Sequence, residues 1–421
     1  MDKEKRQRRD RLQNLLIVLL SVSAIFLFAL TQAELLHWEL LPDAAASEPG
    51  GQESGGVSRL QELDWPVTLV ISEAGGDRRY QQLATSDSTF TAVERLWEDA
   101  LRQAQSPQEI AAADFQAALE LPGLYASFPV PVPACILAAR LGLVSDEETP
   151  VQRLLLTAEE SGAALLFSSG ERCWRCETPL SAGELTTLAG QLGGEGCLFA
   201  FEQEGESTLH PLTVLPSTLP QVRELSAAAG SAVTEELLNY FGFNSHTTSR
   251  YTDASGTEVI VESPRRLSVT AAGLVSYLGA ASYAPESFCL SDAAEPTLTE
   301  LVDGAYGLLL QLPGLSGGEE RLYLSDIRRE SGSCTLCFSY MAGGLPIIAA
   351  DGSAAAELTI TGGIVTQLSL RLCSYTAAES LSLLLPVTQA AAIAAEHPGL
   401  EMALSYVDSG AAHAAASWLM R

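Results

Sequence analysis

The apolar positions of this chain change period along its length, and each period predicts an element. Leu15 to Ala33 (LLIVLLSVSAIFLFALTQA) is nineteen residues without a charge. Pro42 to Gly56 is rich in Ala, Glu, Ser, Gly and Pro and reads as a flexible tether. Order resumes near Trp65. Pro66 to Ser72 (PVTLVIS) alternates and is β-branched, which predicts a strand. Val93, Leu96, Trp97, Ala100 and Leu101 recur at helical spacing and predict an amphipathic helix over Thr91 to Gln103. Ser106-Pro107 with Glu109 predicts a second helix start. Leu124 to Val132 reads as extended and Ala134 to Leu141 as a short helix. Val151 to Leu156 and Ala163 to Ser168 read as strands. Ser181 with Glu184 forms a capping box for a helix to Leu192.

The second half contains an internal echo. LSVTAAGLVS (from Leu267) and LTITGGIVTQ (from Leu358) each read as strand, Thr-initiated glycine turn, strand. Each is followed by one helix, Thr297 to Leu312 or Pro386 to Glu396, and one more strand, Arg321 to Ile327 or Leu400 to Val407. The expected fold class is α+β: an N-terminal transmembrane helix, an α+β domain, then two tandem antiparallel sheet modules, each with a covering helix. The expected divisions are a basic tail at 1–14, a transmembrane helix at 15–33, a linker at 34–64, an α+β domain at 65–235, and modules at 236–330 and 331–421.

Charge sharpens the reading of the amino-terminal run. The net charge is −28, but the first eleven residues hold six basic and three acidic side chains, leaving −31 for the rest. Lys3 and Lys5 are the only lysines. A nineteen-residue helix is about 28 Å long, close to a bilayer core. The basic block before it places the amino terminus in the cytoplasm and the acidic body outside, as a single-pass protein of the cell membrane. A cleaved signal peptide is the competing reading, with Thr31-Gln32-Ala33 as a loose cleavage site, but the apolar run exceeds a typical signal core of about 7–15 residues. Leu15, Leu16, Phe28 and Ala33 mark the span. Ser21, Ser23 and Ala24 are small enough to let a partner helix approach. An acidic body repels nucleic acid and anionic surfaces.

Little in the body points to catalysis. Without lysine there is no Ser-Lys dyad, Schiff base or phosphate-loop lysine. There is no HExxH, and no GxGxxG follows a strand. His37, His210, His246, His397 and His413 stand singly, so neither a metal nor another cofactor is expected. Two CxxC pairs, Cys173/Cys176 and Cys334/Cys337, lie in segments that read as extended, where residues three apart face opposite ways. Small buried residues, a disulfide, and a metal or redox pair all remain open for the eight cysteines. Asp146-Glu147-Glu148 and Glu319-Glu320 sit among loop signals; a carboxylate pair acting on the cell wall is the enzymatic alternative.

The stretch LLNYFGFNSHTTSRYTDASGTEVIVESPRRLSVTAAGLVSYLG (from Leu237) resembles the YycH/YycI group, and YycH more closely. Asn244, Tyr251, Gly256, Thr257, Glu262, Leu267, Gly273 and Tyr277 carry the likeness, and Trp65-Pro66 and FSYMAGGLPI (from Phe338) add to it. The resemblance implies a non-enzymatic, membrane-anchored regulator that binds a sensor histidine kinase of a cell-wall two-component system in Gram-positive bacteria, with a second accessory membrane protein as a further partner. It carries over no catalytic residues.

Overall fold

The computed structural model describes residues 58–104, 106–203, 208–230, 235–244, 246–315 and 317–421. The first sheet has nine strands: β1 (Pro66–Ser72), β2 (Arg78–Ala84), β3 (Gln108–Ile110), β4 (Gly123–Pro133), β5 (Pro150–Glu159), β6 (Gly162–Ser169), β7 (Arg172–Glu177), β8 (Glu195–Phe199) and β9 (Val214–Pro216). They lie in the order β3-β7-β6-β5-β4-β1-β2-β8-β9, all antiparallel. Among them run the helices α1 (Ser88–Arg102), α2 (Ala112–Ala118), α3 (Ala134–Arg140) and α4 (Ala182–Gln191).

The second sheet has thirteen strands: β10 (Arg223–Ala229), β11 (Ser249–Thr252), β12 (Glu258–Glu262), β13 (Arg265–Val269), β14 (Leu274–Leu278), β15 (Arg321–Glu330), β16 (Ser333–Ala342), β17 (Leu345–Ala349), β18 (Ala356–Thr361), β19 (Ile364–Arg371), β20 (Cys373–Leu381), β21 (Met402–Asp408) and β22 (His413–Met420). Its order is β11-β12-β13-β14-β19-β18-β16-β17-β21-β22-β10-β20, with β15 on the free side of β16. Only β17 and β21 pair in parallel among the described strands. Its helices are α5 (Glu235–Tyr240), α6 (Leu298–Leu310) and α7 (Val387–Ala394).

Local chemistry accounts for several of these elements. Asp87 caps α1 by accepting from the Thr89 N–H at 2.8 Å. The buried stripe Phe90, Val93, Trp97 and Ala100 then seats that helix on the core. Capping boxes start α4 (Ser181 with Glu184) and α6 (Thr297 with Glu300).

One apolar core serves both sheets, running from Trp65 and Val67 through Phe128 and Phe338 to Tyr375. The segment just before β1 stitches the sheets together. Arg140 of α3 donates to the carbonyls of Gln61, Leu63 and Thr85 at 3.1, 2.6 and 2.9 Å. Asp64, 1% exposed, accepts from Thr85 Oγ1 at 2.9 Å and Arg321 Nη1 at 2.9 Å. Tyr306 of α6 donates to the Glu62 carbonyl at 3.2 Å.

The free flank of β20 is closed by a side chain. The Tyr375 N–H donates to Glu320 Oε2 at 2.7 Å, and the Tyr375 carbonyl accepts from the Glu319 N–H at 2.8 Å. Glu320 Oε1 also takes the Gly317 and Gly318 N–H groups, at 2.8 and 3.0 Å. A carboxylate and a loop thus stand where another strand would pair.

Two expectations are corrected. The fold is not an α+β domain followed by two modules with covering helices. Among the described residues strand outweighs helix by 42% to 22%, in two wide sheets. The two halves of the internal echo belong to one sheet, because β14 pairs directly with β19. Helix α6 packs on α3 and the Arg59–Glu62 turn, and α7 packs with Ala200, Leu209 and Met402. Both helices therefore bridge to the rest of the unit instead of covering a module of their own. The single-pass membrane placement also loses its support. Among the described residues no helix is long and apolar enough to cross a membrane. The run holding Leu15, Leu16, Ser21, Ser23, Ala24, Phe28 and Ala33 lies outside the described residues.

Candidate functional site: an apolar groove on the first sheet

A groove of about 720 Å³ opens between the end of α1, α3, the loop that follows α3, and one face of the first sheet. Strand register builds its floor. Leu154 on β5 pairs with Phe167 on β6, Phe167 with Trp174 on β7, and Trp174 with Glu109 on β3. Register partners share a face, so these side chains form one row across four strands. Phe167 and Trp174 stack at 5.1 Å and 16°, and the Arg172 guanidinium lies 4.9 Å over the Trp174 ring.

The wall is set by how α3 ends. The Gly142 N–H donates to the Ala139 carbonyl at 3.1 Å and the Leu143 N–H to the Ala138 carbonyl at 2.8 Å, with Gly142 at φ +69°. This is a Schellman stop, which requires the left-handed residue that glycine supplies. It carries Leu143 and Val144 to the groove. The loop is tied back by Cys135 N–H to the Glu147 carbonyl at 2.6 Å and Ala134 N–H to the Thr149 carbonyl at 3.0 Å. Val144 is left 100% exposed.

The charges around the groove are unevenly matched. Arg102 pairs with Glu98, and Arg172 with Glu109 at 3.2 Å. Asp146 and Glu147 have no cationic partner among the described residues. The Thr149 hydroxyl and N–H hold the Glu147 carboxyl below the ordinary carboxylate range.

The opposite face of β5 carries a buried polar joint. Ser127, Arg153 and Ser168 are register partners on β4, β5 and β6. Arg153 Nη2 meets Glu401 Oε2 at 3.3 Å, which ties the first sheet to the start of β21. Arg153 Nε and Nη1 and the hydroxyls of Tyr125, Ser127 and Ser168 make no hydrogen bond of full geometry, although the Tyr125 hydroxyl lies close to both Ser127 and Arg153. A cavity of about 30 Å³ beside Ser127 and Glu401 has room for about two water molecules.

The residues that carried the resemblance are spread along the second sheet and do not meet in a pocket. Asn244 closes a turn by accepting from the His246 N–H at 2.9 Å. Tyr251 is half exposed on the edge strand β11. Gly256 and Thr257 form the β11–β12 turn around Asp253. Glu262 accepts from Thr247 Oγ1 at 2.8 Å and pairs with Arg265. Gly273 turns β13 into β14, and Tyr277 is buried against Phe241, Phe243 and Phe288. These are turn and packing roles.

The cysteine pairs split across their strands. Cys173 faces one core cluster and Cys176 the other. Cys334 packs into the main core, while Cys337 meets Arg328 Nη2 at 2.8 Å. All eight are free thiols, and burial pushes the buried ones up, Cys197 to about 12. No group of three or more metal-ligating side chains converges among the described residues.

Of the acidic runs, Glu148 pairs with Arg329 at 2.8 Å and Glu320 is enclosed by backbone N–H groups. The spacing GxSxG occurs once, as Gly314-Leu315-Ser316-Gly317-Gly318. It lies between α6 and β15, in helix-to-strand order, whereas a nucleophile elbow runs from strand to helix.

No family model, no curated protein and no solved structure matches this chain. The description as a YycH-like component of a two-component system therefore finds no support in them.

Proposed function

We propose that this protein works by binding another protein, as a non-enzymatic regulator. The observation that carries the reading is the groove: a partly exposed aromatic floor of Phe167 and Trp174 on the first sheet, beside a fully exposed Val144. Such a surface suits an apolar anchor from a partner. A sensor histidine kinase is the first partner to test, on the resemblance of the stretch from Leu237 to Gly279. The test is crosslinking of the full-length protein in its own cells with mass spectrometry of the products, alongside kinase autophosphorylation with and without the protein. A captured kinase whose phosphorylation changes supports the reading. No protein partner, with unchanged phosphorylation, overturns it.

A further inference from the structure

The kind of partner follows from the groove's spacing and charge, and rests on the protein-binding reading above. Leu154, Phe167 and Trp174 sit on three adjacent strands. Adjacent strands are about 4.8 Å apart, so the row spans about 10 Å. Helix positions i, i+3 or i+4, and i+7 are about 5 Å apart along the axis and also span about 10 Å. Leu154 is 3% exposed and belongs to the main core, so successive anchors of an amphipathic helix can lie over the partly exposed Phe167 and Trp174 and reach only the groove-facing edge of Leu154. Strand addition at this end of the sheet is poorly served, because the edge strand β3 has three residues.

The surrounding charge selects the flank of that helix. The cations Arg102 and Arg172 already have carboxylate partners, while Asp146 and Glu147 do not. The chain as a whole is −28. A second copy of this chain would bring further negative charge to the same place; a cationic segment would be drawn to it.

We infer that the groove receives a short amphipathic helix from a partner protein, with apolar anchors on Phe167 and Trp174 beside Val144 and Lys or Arg flanking them toward Asp146 and Glu147.

The test uses the full-length protein and two labelled synthetic peptides of about four helical turns, with identical leucines at helical spacing and either lysine or glutamate elsewhere. Fluorescence anisotropy should show the lysine peptide binding at least about tenfold tighter at low salt, with the preference shrinking as salt rises. Val144→Asp places a hydrated charge at a fully exposed position that folding does not depend on; measured at high salt, where its attraction for lysine is screened, it should weaken the lysine peptide about tenfold through the lost apolar contact. Asp146→Lys with Glu147→Lys should turn the preference toward the glutamate peptide. Equal binding of both peptides, or binding indifferent to Val144→Asp, overturns the inference.

The same variant separates this inference from the reading beneath it. A crosslinked native partner that survives Val144→Asp undiminished leaves protein binding standing and removes the groove from it. Selective lysine-peptide binding with no native partner in cells keeps the groove chemistry and removes the regulatory role.

Discussion

His210 sits half-buried where the first sheet meets β21, its Nδ1 accepting from the Leu212 N–H at 3.2 Å. Burial, and then the Arg153 charge, hold its pKa below the ordinary 6.5, against an opposing pull from Glu401. Above about pH 6.5 the ring is neutral in both the folded and the unfolded chain. As pH falls below that value the unfolded chain takes up a proton that the folded one resists, so stability drops until pH passes the folded pKa. Urea midpoints should therefore decrease between about pH 7 and 5, and His210→Gln should flatten that part of the profile. An unchanged slope would show that the histidine does not feel the joint. The thiols make a second residue-scale prediction. Cys289 alone is exposed, and partial burial, then Asp292, raise its pKa as well. Native protein should titrate one thiol slowly with Ellman's reagent and all eight once unfolded. Fast reaction of any CxxC cysteine in the native state would contradict the strand geometry.

Two glycines show how far a turn signal in the sequence translates into energy. Gly142, at φ +69°, has only an ordinary contact awaiting a Cβ, Gln61 Nε2 at 3.6 Å. Gly142→Ala should cost about 1–2 kcal/mol, the left-handed backbone penalty alone. At Gly273, φ +79°, a Cβ would lie 2.6 Å from the Leu372 carbonyl oxygen and 2.7 Å from that of Gly230. Gly273→Ala adds a backbone collision to the same penalty and should cost clearly more in a urea titration; equal losses would mean that the Leu372 and Gly230 backbone yields. The turn at Gly273 and the hairpin turn at Gly362-Gly363 were legible because alternating β-branched residues flank them. Other elements were not. The strands β10 (RELSAAA), β20 (CSYTAAESL) and β22 (HAAASWLM) are poor in large apolar residues, so alternation is faint, and β10 finds both its partners, β20 and β22, far away in sequence. The helix expected from Ser106-Pro107 gave way to strand β3, whose pairing with β7 outweighs a local helix signal, and α2 begins only at Ala112. The groove was half legible: Trp174 stood in plain view between two cysteines that drew the chemical reading, while its stacking on Phe167 needed the register of β6 and β7.

On the scale of the whole molecule, the internal echo was a true pattern with a misleading implication. Two similar hairpins suggested two bodies, yet β14 and β19 join them into one sheet whose core is continuous with that of the first. Sequence similarity reports local pairing; it does not report which edge meets which. The insertion of β10 between β22 and β20 has a consequence in time. Ala229 has no neighbour on that side until Cys373 exists, about 140 residues later. At roughly 5–20 residues per second that is a wait of about 7–30 s on the ribosome. The first sheet can close while the chain is still being made, but β10 must remain unpaired throughout. During synthesis this protein therefore passes through a state that a chaperone able to shield a lone strand would recognise, and the finished fold keeps no trace of it.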